Sequence, residues 1–216
     1  MRILITLDII DKPETFHKLS NHSVQAMLLH RLPLAITKKT HQEKTQCLYT
    51  YPTPRVDFEG NAISFHFSSL DDTTLKLVES FENNLLVRLE RYMCRVATIV
   101  QVEEPEITTN RLLLRGKALV SKSREIIKDV PEIEEYLGYS ARNKLEALGL
   151  PSDVTFHVFK NDYTHTFYRK ENGSINLPGW YLVVSLEGAP ESLKALYQVG
   201  IGQNTGTGNG LFWEVA

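Results

Sequence analysis

The stretch GIGQNTGTGNGLFWEVA, residues 200–216, decides how the end of this chain folds. Five of the chain's 12 glycines fall within its first eleven residues. Glycine adopts positive φ and lets another backbone approach closely, so the pattern predicts a tight loop whose N–H groups can line an anion site. Pro190 favours a helix before the loop, and the apolar residues 211–215 predict one short strand after it. A purely structural turn is the alternative, although two or three glycines would suffice for one.

Two familiar glycine-rich phosphate loops do not fit this stretch. It lacks the Lys-Ser/Thr ending of a P-loop, and Thr205 takes the place of the third glycine of a dinucleotide-binding fingerprint. Both of those loops open a helix, whereas only six residues follow Gly210. The sequence therefore predicts a loop between a helix and a final strand.

The rest of the chain divides into two halves with the same order of elements. In the first half we predict helices at 20–32 and 71–81 and strands at 2–10, 46–51, 62–67, 85–91 and 95–102. In the second half we predict helices at 131–148 and 190–199, strands at 111–120, 154–159, 181–186 and 211–215, and a hairpin strand around 167–168. The polar segment 103–106 is the predicted boundary, which gives domains 1–105 and 106–216. Each half follows the order β-α-β-β-α-β, the first with one additional strand, so the predicted fold class is α+β.

Four segments of the chain occur together in one known family. They are the GxGx(5)GxG pattern of residues 200–210, NHSVQA at 21–26, LYTYP at 48–52 and FHFSS at 65–69. In order and spacing they resemble the C-terminal signature, first helix, second strand and third strand of Cas6, a family of CRISPR repeat endoribonucleases in the RAMP superfamily that serve antiviral defence. The resemblance implies two tandem ferredoxin-like (βαββαβ) domains with the glycine-rich loop near the end of the second. Gln203 departs from the pattern, because many members carry a basic residue there.

Composition agrees with a soluble intracellular protein, and the resemblance to Cas6 implies a prokaryotic cytoplasm. The 216 residues are 42% hydrophobic, which is enough to bury one large core or two small ones. No apolar run approaches the roughly 20 residues that span a bilayer, and the apolar start reaches Asp8 too soon for a signal peptide. Cys47 and Cys94 are far apart, as expected of reduced thiols. The net charge of -2 does not suggest nucleic-acid binding, but a site-specific RNA enzyme needs only a local basic face.

Residue patterns give no support for a metal or a cofactor. The seven histidines and two cysteines include no His-x-x-x-His or Cys-x-x-Cys pair, so a zinc site is not predicted. The Gly-x-Ser-x-Gly elbow of serine hydrolases is missing. Asp71-Asp72 stands at a predicted helix start and is interpreted as a cap rather than part of a two-metal site.

Histidine acid–base chemistry remains, and it suits RNA. The 2′-hydroxyl beside the scissile phosphate is an internal nucleophile, so cleavage needs no metal. The protein must accept the 2′ proton, protonate the 5′ leaving oxygen and stabilise the added negative charge. Histidine can perform both proton transfers near neutral pH. The resemblance places the catalytic histidine on the first helix or just after it, where this chain has His22, His30 and His41.

His41 is the first candidate, because the basic segment 37–44 also supplies Lys44 to stabilise charge. The alternative is a solvated loop histidine. His22 lies in the first helical turn, where the dipole favours the neutral ring of a general base, or where it simply contacts helix-terminal groups. His30 lies roughly 12 Å further along the axis, too far to share one proton with His22. Tyr49 could orient the scissile group, although strand tyrosines are commonly packing residues.

A basic strand marks the predicted binding surface. Within 111–120, Leu112, Leu114, Ala118 and Val120 share one parity, while Arg111, Arg115 and Lys117 share the other. Period two therefore predicts one core face and one cationic face, which suits a phosphate track, with an ordinary solvated face as the alternative. Arg142 and Lys144 on the next helix could extend it. The predicted RNA-binding residues are Arg111, Arg115, Lys117, Lys122 and Arg124, with Gly200, Gly202, Gly206, Gly208 and Gly210.

The resemblance implies a metal-independent endoribonuclease that cuts CRISPR precursor RNA within each repeat and leaves a 5′-hydroxyl with a 2′,3′-cyclic or 3′ phosphate. The product crRNA could then stay bound, with the chain as a subunit of an effector complex. Two alternatives stay open at this point. One is a subunit that binds the repeat without cutting it, and the other is a nucleotide or small-molecule binding protein that uses the glycine loop.

Overall fold

The computed structural model describes residues 1–32, 47–81, 86–122, 125–170, 173–203, 205–207, 209–210 and 212–214. Two large antiparallel sheets, one in each half of the chain, and a two-stranded sheet within residues 121–126 organise these residues. Within the described ranges, no helix is long and apolar enough to cross a membrane.

The N-terminal half, residues 1–102, builds a six-stranded sheet in the order β2-β4-β1-β6-β5, with β3 also paired to β4. Its strands are β1 (Arg2–Asp11), β2 (Tyr49–Thr50), β3 (Arg55–Asp57), β4 (Ala62–Ser69), β5 (Leu86–Leu89) and β6 (Tyr92–Val102). Its helices are α1 (Asn21–Arg31) and α2 (Asp71–Glu79). Alternate residues of β1 and β4 are buried, and Val24, Met27 and Leu28 of α1 complete the core above them.

The C-terminal half, residues 111–214, builds a four-stranded sheet in the order β10-β11-β7-β12. Its elements are β7 (Arg111–Ala118), β8 (Ser121–Lys122), β9 (Glu125–Ile126), α3 (Val130–Leu148), β10 (Thr155–Lys170), β11 (Gly173–Glu187), α4 (Pro190–Val199), a 3-10 turn (Thr205–Thr207) and β12 (Phe212–Glu214). Buried side chains at intervals of three and four along α3 pack on the sheet, and Gly149 ends the helix with φ 68°.

Both sheets have the ferredoxin-like strand order. In the first sheet β1 lies between β4 and β6, and the short strand β2 lies at an edge. In the second sheet β7 lies between β11 and β12, and the hairpin strand β10 lies at an edge. The predicted α+β class with two βαββαβ units is therefore confirmed. The exact domain boundaries stay a prediction.

The β10–β11 hairpin is longer than predicted. Residues 155–170 pair continuously with residues 173–187, apart from one bulge after Val158. Only residues 180–187 of β11 also pair with β7, so the distal part is a two-stranded ribbon. Strand prediction depends on a period-two pattern of apolar residues, and we found that pattern only in parts of the two strands.

Polar side chains of the N-terminal half join it to backbone carbonyls of the C-terminal half. Arg2 is fully buried and donates from Nη2 to the carbonyl oxygens of Tyr197 and Phe212, both at 2.9 Å. Its Nη1 donates to the Tyr197 hydroxyl at 2.9 Å, and its guanidinium carbon lies 4.0 Å from the centre of that ring. Ser68 Oγ donates to the carbonyl of Gln198 at 2.7 Å, and Thr50 Oγ1 to that of Asn209 at 2.8 Å. The two halves are thus joined by directed hydrogen bonds.

Candidate functional site

The glycine-rich loop follows α4 and lies against the N-terminal half. Gly200, Gly202 and Gly210 have φ values of 78°, 95° and 81°, which side chains rarely adopt. A Cβ on Gly210 would lie 2.3 Å from the Ile201 carbonyl oxygen, and one on Gly200 would lie 2.5 Å from the Gly210 carbonyl oxygen. Gly200 and Gly210 are therefore required by the close approach of the loop to itself.

The loop also uses its own N–H groups. Ile201 N donates to Gly210 O at 3.0 Å, Gln203 N to Leu119 O at 3.0 Å, and Gly210 N to Lys117 O at 2.7 Å. These three donors are engaged inside the protein. RNA contact by Gly200, Gly202, Gly206 and Gly210 stays a prediction, and each of them has a packing reason of its own. Gly208 lies outside the described residues.

Tyr49 packs beneath the loop. A Cβ on Gly206 would lie 2.6 Å from Cys47 Sγ and 3.3 Å from the Tyr49 hydroxyl. The Tyr49 ring is 1% exposed and stacks on Phe67 with 5.7 Å between ring centres. Burial raises the pKa of the Tyr49 hydroxyl, with the charge of Cys47 as a smaller cause. This position gives no support to the predicted role in orienting the scissile group and matches the packing alternative.

Lys144 of α3 holds the other side of the loop. Its ammonium donates to Gly200 O at 2.9 Å, to Thr205 Oγ1 at 3.1 Å and to Val199 O at 3.4 Å. The side chain is 1% exposed, and burial lowers its pKa to about 8. The prediction that Lys144 extends the cationic surface is therefore wrong. Its helical position gave no sign of this, because the acceptors come from a loop 55 or more residues later in the chain.

Gln203 ties the loop to β8 and α3. Its Oε1 accepts a hydrogen bond from Ser121 Oγ at 2.7 Å, and its Nε2 donates to Ser121 O at 2.8 Å and to the Tyr136 hydroxyl. A neutral amide can accept and donate in this way, whereas a basic side chain can only donate. Glutamine at position 203, where many Cas6 members carry a basic residue, thus has a local structural reason.

Strand β7 has the two predicted faces. Leu112, Leu114 and Ala118 are buried, whereas Arg111 and Arg115 are exposed. Lys117 is partly buried on the cationic side, and Arg111 forms an exposed ion pair with Glu187 at 3.6 Å. Lys122 lies apart from this strand, beside a cavity of about 240 Å³ that Tyr136 and Tyr139 also line. Arg124 lies outside the described residues.

A groove of about 640 Å³ runs between α1 and β5. His22 and His30 line it together with Arg31 and Arg88, and Met27 and Val87 supply apolar surface. His22 is exposed, off the core face of α1 as predicted. The groove therefore combines two imidazoles with two guanidinium groups, which is suitable chemistry for proton transfer beside an anion.

A carboxylate that the sequence analysis did not identify fixes the start of this groove. Glu90 accepts hydrogen bonds from Ser20 N at 3.0 Å and Ser20 Oγ at 2.5 Å, and its Oε2 lies 2.7 Å from His17 Nε2. Glu90 stands at φ 52° in the turn between β5 and β6, which points it back to the helix start. His17 N and O are both bonded to the Tyr92 hydroxyl, so the entry to α1 is held on two sides.

The second half of the chain matches the family model "CRISPR associated protein Cas6, C-terminal" over residues 116–213. This part of the chain is similar to the C-terminal domain of Cas6 proteins. The match contains the predicted glycine-rich signature, so the resemblance to Cas6 is confirmed. No curated protein matches the sequence closely enough to count as a relative.

Solved structures with similar folds cover the whole chain. A Cas6-related gene product from Pyrococcus furiosus is 17% identical with a TM-score of 0.74, over 100% of this chain and 98% of its own. A RAMP protein described as binding different RNA substrates is 16% identical with a TM-score of 0.72, over 100% of both chains. A CRISPR-associated Cas6 protein is 15% identical with a TM-score of 0.69, over 100% of this chain and 99% of its own. At these identities the likeness establishes the tandem ferredoxin-like fold.

Two of the residues predicted from the resemblance to Cas6 are not described. His41 and Lys44 belong to residues 33–46, which lie outside the described ranges, so their roles stay predictions. The described residues on either side are Leu32, which follows α1, and Cys47, whose carbonyl accepts a hydrogen bond from Thr205 Oγ1 at 3.5 Å. Within the described part of the chain, no group of three or more His, Cys, Asp or Glu residues could hold a metal ion.

Proposed function

We propose that this chain is a metal-independent endoribonuclease that binds CRISPR precursor RNA and cuts it within the repeat. The match of residues 116–213 to the Cas6 C-terminal model carries this proposal, because the matched segment does not include the candidate catalytic residues. The two-faced strand β7 supports it, since Arg115 and Lys117 present positive charge on the side away from the core. An overall charge of -2 is compatible with such a local surface.

The proposed reaction uses the RNA's own nucleophile. A histidine accepts the proton of the 2′-hydroxyl while the 2′ oxygen attacks phosphorus, and the bond from phosphorus to the 5′ oxygen breaks. A second proton donor protonates that leaving oxygen, and the products are a 2′,3′-cyclic phosphate and a 5′-hydroxyl. His41 is the first candidate for the proton transfers, with Lys44 as a charge-stabilising neighbour. His22 is the second, and its groove with Arg31 and Arg88 supports it.

A non-catalytic subunit that holds crRNA is the second candidate function. The observation in its favour is that Tyr49, one of the predicted catalytic residues, is buried in the core. A nucleotide-binding role for the glycine loop has less support, because N–H groups of Ile201, Gln203 and Gly210 are engaged within the protein.

Incubation of the chain with repeat RNA from its own genome tests the proposal. We expect one cut per repeat, an unchanged rate with EDTA, and products with a cyclic phosphate. His41→Ala is expected to slow cleavage by about 10²- to 10⁴-fold with nearly unchanged binding, which is the typical contribution of general acid–base catalysis.

His22→Ala is the matched comparison. If it stops cleavage and His41→Ala does not, the catalytic histidine is His22. Normal cleavage by both variants would contradict the histidine mechanism. Tight binding by the wild type without any cleavage would instead support the crRNA-holding subunit.

A further inference from the structure

A cavity of about 240 Å³, here called the tyrosine cavity, lies between α3 and the small β8–β9 hairpin. The residues that line it are Lys122 of β8, Ile127 just after β9, and Glu132, Glu135, Tyr136 and Tyr139 of α3. The four residues of α3 are spaced three and four apart, which places them on one side of the helix, next to its core face.

One tyrosine of the cavity is fixed and the other is open. Tyr136 is partly buried, and its hydroxyl accepts a hydrogen bond from Gln203 Nε2 of the glycine-rich loop. Tyr139 is 60% exposed, so most of its side chain is accessible. Ile127 is buried, and its carbonyl oxygen accepts a hydrogen bond from Trp180 Nε1 at 2.7 Å. An accessible aromatic ring beside a fixed apolar side chain is a surface on which an unpaired base can stack.

The charged side chains determine what kind of group can enter the cavity. Glu132 and Glu135 are exposed, and within the described ranges neither carboxylate forms a hydrogen bond or an ion pair. With Lys122 they give the lining two negative charges and one positive charge, which disfavours a phosphate inside it. A carboxylate instead accepts hydrogen bonds, as it does from the amino group of cytosine. Uracil has an acceptor oxygen in place of that amino group.

Size and position favour a base of the RNA over other ligands. The cavity is smaller than the roughly 300 to 1,000 Å³ of pockets that enclose drug-sized ligands, so it suits one base. Gln203 connects it to the loop that we predict to contact RNA, and Lys122 belongs to the predicted RNA-binding set. A cationic side chain of a partner protein is the other group that carboxylates and aromatic rings attract, but Lys122 opposes it.

We propose that the tyrosine cavity binds one unpaired adenine, cytosine or guanine base of the RNA. The base stacks on Tyr139, and its amino group donates to Glu132 or Glu135. This site rests on the proposed function and deepens it, because it assigns residues that select the sequence of the repeat.

Removal of single bases tests the stacking. The probe is repeat RNA that is 2′-deoxy at the scissile nucleotide, so that it is not cut, and that lacks the base at one position at a time. We expect one position at which base removal weakens wild-type binding by about 5- to 150-fold, the range that follows from stacking one base on an aromatic ring. In Tyr139→Ala the effect should be much smaller at that position and unchanged at the others, because the stacking partner is already missing.

Replacement of the same base by uracil tests the carboxylates. The wild type should bind the uracil-containing RNA about fivefold or more weakly. The double variant Glu132→Gln/Glu135→Gln should lose this preference, because an amide can donate to uracil as well as accept from an amino group. Glu146→Gln is the matched control, since Glu146 is an exposed residue about 16 Å further along α3, and it should keep the preference.

Equal effects of base removal in the wild type and Tyr139→Ala at every position would overturn this site. A natural uracil at the sensitive position, or equal wild-type affinity for uracil there, would also overturn it. The proposed function survives these results if the wild type still cuts repeat RNA.

Free arginine, with binding measured by calorimetry, tests the cavity for a cationic ligand. Arginine binding that is lost in Glu132→Gln/Glu135→Gln, together with equal RNA effects in all variants, would identify a site for a cationic side chain and overturn the base assignment. If the wild type binds no repeat RNA at all, the proposed function itself fails, and this site fails with it.

Discussion

Lys144 carries an ammonium group in the interior of the C-terminal half, where three oxygen acceptors replace water. Burial lowers its pKa to about 8, from an ordinary 10.5. Between about pH 8 and pH 10.5, Lys144 keeps its proton in the unfolded chain but has released it in the folded chain. The free energy of unfolding therefore rises with pH across this window, because the cost of the buried charge disappears.

Lys144→Met tests this directly, since methionine does not titrate. The stability of the wild type relative to Lys144→Met should increase by about 2 kcal/mol between pH 7 and pH 9.5, measured by urea unfolding. Cys47 and Tyr49 also titrate at high pH, but both proteins contain them, so they largely cancel in the difference. A difference that stays constant with pH would show that the ammonium is not buried as described.

Residue-level prediction succeeded where the signal was local. The alternation along β7 correctly separated Leu112 and Leu114 from Arg111 and Arg115. It failed for Lys144, because the environment of that side chain is made by a loop that is distant in sequence. The catalytic role of Tyr49 stays a prediction. Glu90 was not identified from the sequence, since a single charged residue in a turn is usually solvated.

At the scale of elements, the glycine-rich loop is specified by steric contact as much as by φ. Alanine at Gly210 would adopt φ 81° and place its Cβ 2.3 Å from the Ile201 carbonyl oxygen. Alanine at Gly149 would adopt φ 68° with no atom within 4 Å of its Cβ. Alanine at Gly149 therefore tests backbone strain alone, whereas alanine at Gly210 tests backbone strain together with steric overlap.

Gly149→Ala should lower the free energy of unfolding by about 1 to 2 kcal/mol, the cost of a left-handed alanine. Gly210→Ala should lower it by at least about 2 kcal/mol more, because the backbone must also move away from Ile201. Thermal or urea unfolding measures both. Equal losses in the two variants would mean that the loop has room at Gly210 and is not tightly closed.

Helices were predicted better than strands. The helix at 190–199 agrees at both ends, because Pro190 can start it and Gly200 can end it. The strand predicted at 46–51 is only Tyr49–Thr50 within the described residues. The hairpin strands β10 and β11 have 16 and 15 residues, against the predicted strands 154–159 and 181–186. Strand pairing depends on partners elsewhere in the chain, and these leave little trace in a single stretch of sequence.

For the whole molecule, the order of elements was sufficient to predict two βαββαβ units, and the resemblance to Cas6 implied that they are ferredoxin-like, but neither predicted how the two units pack against each other. Arg2 begins β1, and its acceptors on Tyr197 and Phe212 are 195 and 210 residues away. In the sequence Arg2 resembles an ordinary polar strand residue. In the structure it is fully buried between the halves, and burial lowers its pKa.

Arg2→Met should lower the free energy of unfolding by about 2 to 5 kcal/mol, because it leaves buried carbonyl groups without their charged donor. Arg95→Ala is the control. Its ion pair with Asp8 is exposed and 3.6 Å long, so removal should cost less than about 1 kcal/mol. Urea unfolding of both variants gives the comparison, and equal small losses would show that Arg2 does not join the halves.

The central claim is that the chain cuts repeat RNA with the RNA's own 2′-hydroxyl. A single 2′-deoxy substitution at the scissile nucleotide tests this most directly, with cleavage and binding measured on the same RNA. We predict that cleavage stops while the affinity stays close to that of the unmodified repeat. Cleavage of the deoxy-substituted RNA at the unmodified rate would contradict the account, because it would require a nucleophile other than the 2′-hydroxyl.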